Sequence, residues 1–266
     1  MHFTPQRVGT LESEKGNANV ERMLQSTLGS AHLDDPLAKS ISHSSNPELV
    51  MFPRLTNTAL VPYETSATYT VAKRSLDVFV ASMALIALAP LLIAIALVIW
   101  LEDGGTIFYS QLRVGKDGRL FRFYKFRSMV PNADALKAQL AEMNEADGPI
   151  FKMKHDPRIT RIGRVLRKYS LDELPQFWNV LQGQMSLVGP RPHLPSEVNR
   201  YQENQWVRLA VQPGLICLRE VSGRSKLSFE QWVETDLLYV RNRSLLLDLK
   251  ILLMAIPAVI KGEGAY

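Results

Sequence analysis

Hydrophobic and polar positions divide the chain into a polar stretch, one long apolar run and a patterned remainder. Over residues 1–70, Ser, Asn, Thr, Glu and Pro mix with scattered Leu and Met and show no sustained period. Such a stretch buries too little apolar surface to offset its ordering entropy. A mostly disordered polar tail is expected there, with a small helix around Val20–Leu28 as the alternative. It lacks a cationic segment followed by an apolar core and a small-residue cleavage site, so no signal peptide is read. Organised structure is expected from Val71. Asp77 and Glu102 bracket 24 uncharged residues, Val78–Leu101, long enough to cross a bilayer as a helix. Pro90, after Ala89, sits at the middle of this run and has no N–H to donate. Lys73 and Arg74 precede the run, which places that flank in the cytoplasm. Two geometries follow: a single span kinked at proline, or a helix–break–helix that enters and leaves one leaflet.

Period-two alternation then predicts a hairpin. Ile107–Val114 and Leu120–Arg127 flank the turn-rich Gly115-Lys116-Asp117-Gly118. Phe121, Phe123, Lys125 and Arg127 share one face of the second strand, so Arg113, Lys125 and Arg127 come from a rigid element, with a plain solvated basic strand as the alternative. Residues 132–147 read as an exposed helix ending near Gly148-Pro149. The next segment holds Lys152, Lys154, Arg158, Arg161, Arg164, Arg167 and Lys168 against Asp156 alone. Ile159, Ile162, Val165, Leu166 and Tyr169 thread it at helical spacing, predicting a helix with a core face and a cationic face. The final apolar stretch, Leu245–Ile260, carries Asp248, Lys250 and Pro257 and is too short and interrupted to span. It is expected to lie flat at a membrane interface, with burial as a core helix the alternative. Trp206 and Trp232 are placed either at headgroup level or in the core.

Composition changes the picture in two ways. Residues 1–66 hold 5 basic and 7 acidic side chains, while the rest holds 26 and 19, so the cationic excess lies in the folded part. That part should attract something anionic: phosphate, nucleic acid or an acidic membrane face. Cys217 is the single cysteine, which excludes an intramolecular disulfide framework and a Cys-based zinc cluster. It reads as a packed small residue. His155 and His193 lack metal-ligand company and are read as non-catalytic.

Ser170-Leu171-Asp172-Glu173 has the form of a capping box, with Ser170 as N-cap and Glu173 at N3, and Pro175 supports the same boundary. Asp172 would then lie in a first turn that favours a carboxylate and also a phosphate. An ionised aspartate beside phosphate and arginines could attack phosphorus to form an acyl phosphate; otherwise the pair is a plain helix cap.

Four motifs then occur in order: Tyr124-Lys125-Phe126-Arg127-Ser128-Met129, Asp156-Pro157-Arg158-Ile159-Thr160, Ser170-Leu171-Asp172-Glu173-Leu174-Pro175-Gln176 and Ser186-Leu187-Val188-Gly189-Pro190-Arg191-Pro192. From about Lys73 to Tyr266 the chain resembles the bacterial sugar transferases, monotopic phosphoglycosyl transferases that start glycan assembly on polyprenyl phosphate. The resemblance implies an α+β fold, mostly helical with a small antiparallel β-hairpin sheet. It implies a re-entrant membrane helix over 71–102 broken at Ala89-Pro90, and a cytoplasmic-face catalytic domain with interfacial helices over 103–266. The location implied is the cytoplasmic face of the bacterial inner membrane.

The resemblance also assigns roles. Asp172 matches the nucleophile, which would take a sugar phosphate from a nucleotide diphosphate sugar. Glu173 matches its dyad partner. Polyprenyl (undecaprenyl) phosphate would be the acceptor, and Mg2+ at Asp172 and Glu173 the cofactor. Lys125, Arg127, Arg158, Arg167, Arg191 and Arg224 are the implied phosphate-binding residues, with Arg158 and Arg224 also readable as structural ion-pair partners. Expected partners are the two substrates and membrane lipid; a homodimer is left open. A membrane-tethered basic binding protein is the competing class, but the acidic Asp172-Glu173 pair would repel a nucleic-acid backbone. A catalytically silent assembly scaffold is a third reading, kept open by one departure. Where the family often has small residues and Trp-Gln before Ser-Gly-Arg, this chain runs Ile216, Cys217, Leu218, Arg219 and Glu220, which bears on sugar or acceptor selection. A second departure is Ala89-Pro90 where many members have Ser-Pro.

Overall fold

A computed structural model describes residues 66–140, 143–145, 153, 155–221 and 229–261. Residues 1–65 of the expected N-terminal tail and the helix around Val20–Leu28 lie outside these residues, as do Lys152, Lys154 and Arg224.

Helix α1 spans Ala67–Ala87, starting ahead of the expected Val71, and helix α2 spans Ala89–Asp103. The pair is bent by 61°. Pro90 falls in the first turn of α2, where a missing N–H costs nothing. Its ring excludes the carbonyl four residues back, so the break falls at Leu88, just ahead of the expected Ala89-Pro90. Leu88 still donates to the Ala84 carbonyl at 2.9 Å and accepts from Leu92 at 2.8 Å. Among the described residues no single helix is long and apolar enough to cross a membrane; the bent pair is so only when taken together. Phe79, Ile86, Ile93 and Leu101 stay exposed along it.

Both ends of the pair are tied to the rest of the chain. Near the start, Arg74 donates to the carbonyls of Val180 and Leu181 at 2.6 and 2.7 Å. Buried Asp77 accepts from the Leu187 N–H at 2.9 Å and the Ser186 hydroxyl at 3.1 Å. At the far end, Asp103 pairs with Arg127 and Glu102 accepts from the Ile162 N–H at 3.2 Å.

Strands β1, Phe108–Val114, and β2, Leu120–Phe126, form the expected hairpin to within one residue at its outer ends. Tyr109 faces Lys125, Gln111 faces Phe123 and Arg113 faces Phe121, so these six share one face. The turn uses left-handed Asp117 and Gly118. Helix α3, Ala133–Gln139, opens the exposed helix expected over 132–147; residues 141–142 and 146–149 of that expectation lie outside the described residues.

Helix α4, Arg161–Lys168, is capped by the Thr160 hydroxyl, which accepts the Gly163 N–H at 2.9 Å. A Cβ on Gly163 would lie 2.0 Å from the Ser128 carbonyl oxygen, so glycine alone allows this approach. Leu166 is buried, but Val165 and Tyr169, expected on the core face, are exposed. Packing follows the i, i+4 row of Ile162 and Leu166 against α2, and the neighbours three residues along rotate outward.

Helix α5, Gln176–Leu181, leads into β3, Ser186–Val188. After a short helix α6, Pro195–Val198, and a 3-10 segment, Glu203–Ala210, β4, Gly214–Ile216, pairs with β3 in parallel. This second sheet was not expected from the sequence. Helices α7, Leu218–Val221, α8, Phe229–Asn242, and α9, Leu245–Lys261, complete the described chain. Ala81, Phe121, Phe123, Val180, Leu187 and Val240 share the main core, which unites α1, both sheets and α8. Trp206 and Trp232 are both buried, which settles them in the core rather than at headgroup level. α9 turns Asp248, Ile251 and Ala255 inward and leaves Leu246, Leu249 and Leu253 exposed, an apolar outer face.

Candidate active site

Asp172 and Glu173 lie in a 3-10 turn, Leu171–Glu173, between α4 and α5. The expected capping box is not formed. Ser170 is left-handed at φ 55° and makes no cap bond with its side chain; α5 starts only at Gln176, after Pro175. The chain must reverse directly after α4, and Ser170 does so with its N–H returned to the Arg167 carbonyl at 3.1 Å. A non-glycine residue in this conformation costs about 1–2 kcal/mol. Asp172 therefore precedes the helix instead of occupying its first turn.

Lys125 reaches this turn from β2. Its Nζ is 2.6 Å from Glu173 Oε1 and 3.5 Å from Asp172 Oδ2. Asn179 of α5 fixes that spacing. Its wholly buried amide donates to the Arg122 carbonyl at 2.7 Å and accepts the Tyr124 N–H at 3.2 Å, acting like a further strand along β2. Arg191, just after β3, places Nη2 2.7 Å from Glu173 Oε1 and Nη1 3.3 Å from Glu220 Oε1. Glu220, on α7, also accepts the Cys217 N–H at 3.2 Å. Arg167 of α4 donates to the Ser128 hydroxyl at 3.0 Å. Arg113 and Lys125 both lie against the Phe123 ring, 5.4 and 5.5 Å from its centre.

The electrostatics separate the carboxylates. Burial alone would push the Glu173 carboxyl up, but Arg191 and Lys125 outweigh it and hold it well below the usual range. Burial pushes the Glu220 carboxyl up, against the opposing Arg191 charge. Burial pushes the Arg167 guanidinium down, and the Asp172 charge opposes this. Arg113 is pushed down to about 10 by burial and by the Arg191 charge.

Of the expected phosphate ligands, Lys125 and Arg191 meet at the dyad, while Arg167 donates to Ser128 and feels the Asp172 charge. Arg127 does not join them. It follows β2 and pairs with Asp103 at the end of α2, which ties that helix to the hairpin. Arg158 takes the ion-pair placement that the sequence left open beside phosphate binding. It is buried and donates to Asp156, with Nη2 at 2.6 Å, and to the Ala133 carbonyl at 3.3 Å, which makes it a structural ion-pair partner. Arg224 lies outside the described residues. His193 is buried beside Arg208, 3.0 Å away; burial and that charge keep its imidazole neutral. Cys217 is buried, and burial pushes its thiol up to about 12.

Sequence reasoning missed Asn179, whose role depends on an edge strand distant in the chain. It also gave no role to Gln176, at the start of α5, whose buried Nε2 has no hydrogen-bond partner among the described residues. No group of three or more His, Cys, Asp or Glu donors occurs among the described residues. Asp172 and Glu173 nonetheless offer hard carboxylate oxygens. A two-carboxylate set suits magnesium, which keeps waters and takes phosphate oxygens from its substrate.

Residues 68–262 match the family described as bacterial sugar transferase. The chain is 41% identical over 218 residues to the exopolysaccharide production protein ExoY of Sinorhizobium fredii, covering 79% of this chain and 96% of that protein. It is 45% identical over 197 residues to the galactosyl transferase CpsE of Streptococcus agalactiae, 73% of this chain and 43% of the relative. It is 43% identical over 205 residues to the undecaprenyl-phosphate galactose phosphotransferase of Salmonella typhimurium, 73% of this chain and 41% of the relative. The chain thus spans nearly all of the first relative and under half of the other two. With its dyad turn, its hairpin lysine and its post-strand arginine inside the matched segment, the chain belongs to the bacterial sugar transferase family.

Proposed function

We propose that the chain transfers a sugar 1-phosphate from a nucleotide diphosphate sugar to polyprenyl phosphate through a covalent intermediate on Asp172, initiating exopolysaccharide or other glycan assembly. The observation that carries this is the unequal treatment of adjacent carboxylates. Glu173 is clamped by Lys125 at 2.6 Å and Arg191 at 2.7 Å, while the ion pair of buried Asp172 is a looser 3.5 Å contact with Lys125. An anion held so loosely beside cations can turn to phosphorus.

An Asp172 oxygen attacks the sugar-bearing phosphorus, and the bond to the bridging oxygen breaks. The nucleoside monophosphate departs with that electron pair. An oxygen of polyprenyl phosphate then attacks the same phosphorus, and the Asp172–phosphorus bond breaks to restore the carboxylate. Lys125 and Arg191 hold phosphate oxygens, Arg167 adds positive potential, and Glu173 keeps the first two in place. Magnesium at Asp172 and Glu173 would neutralise the diphosphate and the charge on the leaving phosphate.

The acceptor is lipid-borne, and the bent α1–α2 pair fits a re-entrant seat on the cytoplasmic face of the inner membrane. A crossing helix would carry its two ends to opposite faces. Here Arg74 and Asp77 at one end and Asp103 at the other bind the same body. The relatives' names support the chemistry, since one acts on undecaprenyl phosphate and one serves exopolysaccharide production.

Mass spectrometry of the full chain with a panel of nucleotide sugars and no acceptor tests the reading. The expected result is a phospho-sugar adduct on Asp172 with matching release of nucleoside monophosphate. Asp172→Asn should form no adduct and turn over nothing while keeping its fold. An adduct on another residue, or an active Asp172→Asn, overturns it.

A further inference from the structure

Arg191 is shared by carboxylates from two elements. Glu173, in the dyad turn, takes Nη2 at 2.7 Å; Glu220, on α7, lies 3.3 Å from Nη1. The two contacts are unequal in more than length. Glu173 has Lys125 as a second cation, whereas among the described residues Glu220 forms its ion pair with Arg191. Glu220 does not depend on Arg191 for its place, because its other oxygen accepts the N–H of Cys217 in its own turn. The charged and titratable groups facing it are Arg191, Glu173, Arg219 and the buried Cys217 thiol. It also lies in the 216–220 stretch where the chain departs from its family's pattern.

A diphosphate that docks on Arg191 needs the guanidinium fork for its own oxygens. With both Nη atoms engaged, an incoming phosphate competes with the carboxylates for the fork. Glu173 is held by Lys125 and by both Nη atoms of Arg191, so Glu220, which meets Nη1 alone at 3.3 Å, is the one to yield. We infer that Glu220 is a positioning residue that occupies Arg191 in the resting protein and competes with the donor's diphosphate for it, setting donor affinity. That role presupposes that Arg191 binds donor phosphate, as proposed above.

Neutralising a residue that merely supports the fold weakens or preserves ligand binding. Neutralising Glu220 should strengthen it. The test is calorimetric titration of the full chain in detergent with uridine diphosphate as probe, at fixed salt. Glu220→Gln is near-isosteric and retains an oxygen for the Cys217 N–H; Glu220→Ala serves as a second variant should the first fold poorly. Removing one negative charge within a few ångströms of the phosphate should lower the dissociation constant about tenfold. KM for the nucleotide sugar should fall by more than kcat changes, and in an Arg191→Ala background the gain from Glu220→Gln should vanish. If both Glu220 variants bind uridine diphosphate no better than the parent while Arg191→Ala binds it worse, the competition is refuted and the phosphate site stands. If Arg191→Ala leaves binding unchanged, the phosphate reading of Arg191 falls and Glu220's role falls with it.

Discussion

Lys73, near the start of α1, donates to Asp248 of α9 at 2.8 Å across 175 residues of sequence. The same ammonium donates to the Val188 carbonyl at 3.1 Å, and the Tyr239 hydroxyl donates to Asp248 at 2.7 Å. Desolvation offsets most of the attraction in a buried ion pair, so its worth lies in registration more than in stability. It fixes the root of α1 against α9, which carries an exposed apolar face.

The re-entrant seat proposed above is tested by thiol labelling. Single cysteines at positions 60 and 110, in a Cys217→Ser background, should both be protected from a membrane-impermeant thiol reagent in intact cells. Pro90→Ala removes the ring that forces the break and should make position 60 partly reactive as some molecules adopt a spanning helix. Labelling of position 60 without the Pro90 change would show a spanning segment.

Arg127 and Lys125 stand two residues apart and should fail differently. Arg127→Ala loosens the end of α2 at a cost of about 1–2 kcal/mol. In a chain of this size that lowers Tm by about 2–4 °C per kcal/mol, with donor KM little changed. Lys125→Ala should lower kcat/KM about 100-fold with little change in Tm. A raised donor KM in Arg127→Ala, at unchanged Tm, would return Arg127 to the phosphate site.

Asn179→Leu leaves the Tyr124 N–H and the Arg122 carbonyl without their partner. Two stranded backbone groups should cost about 2–4 kcal/mol, seen in chemical denaturation. Turnover should fall with stability, because the same amide spaces Lys125 from the dyad. A variant as stable as the parent would show that β2 finds its edge partner elsewhere.

His193 makes stability pH-dependent. Its imidazole is neutral when folded, with a pKa well below the unfolded value of about 6.5. The unfolded chain therefore takes the proton first as pH falls. The stabilisation is present above about pH 6.5 and declines below it, by at most about 1.4 kcal/mol per pH unit for one group. Unfolding at pH 7, 6 and 5 should show a shallower slope in His193→Gln than in the parent. Parallel slopes would mean that His193 is already protonated in the folded chain.

Local pattern carried far where local forces decide. Alternation and Gly115–Gly118 placed the hairpin, and ordered motifs brought Lys125, Arg167 and Arg191 to the Asp172–Glu173 turn. The failures share one cause. Ser170 and Glu173 have capping-box spacing, yet the reversal after α4 overrides it. Arg127 falls on the same face as Lys125 by period two, but nothing in that period says that Asp103 waits beside it. β3 and β4 are three residues each and pair across a long interval, too short for any periodic signal.

One consequence of the Arg74 contacts reaches from lipid to chemistry. Arg74 grips the last carbonyls of α5, and the Asp172 turn precedes the first residues of the same six-residue helix, about 9 Å away. Under the proposed seat, the bent pair works as a depth gauge. The level at which α1 and α2 settle among acyl chains dictates the height of Asp172 above them, and so which phosphates it can meet. A phosphate anchored to lipid presents itself at one height; a phosphate free in solution has none to be measured against.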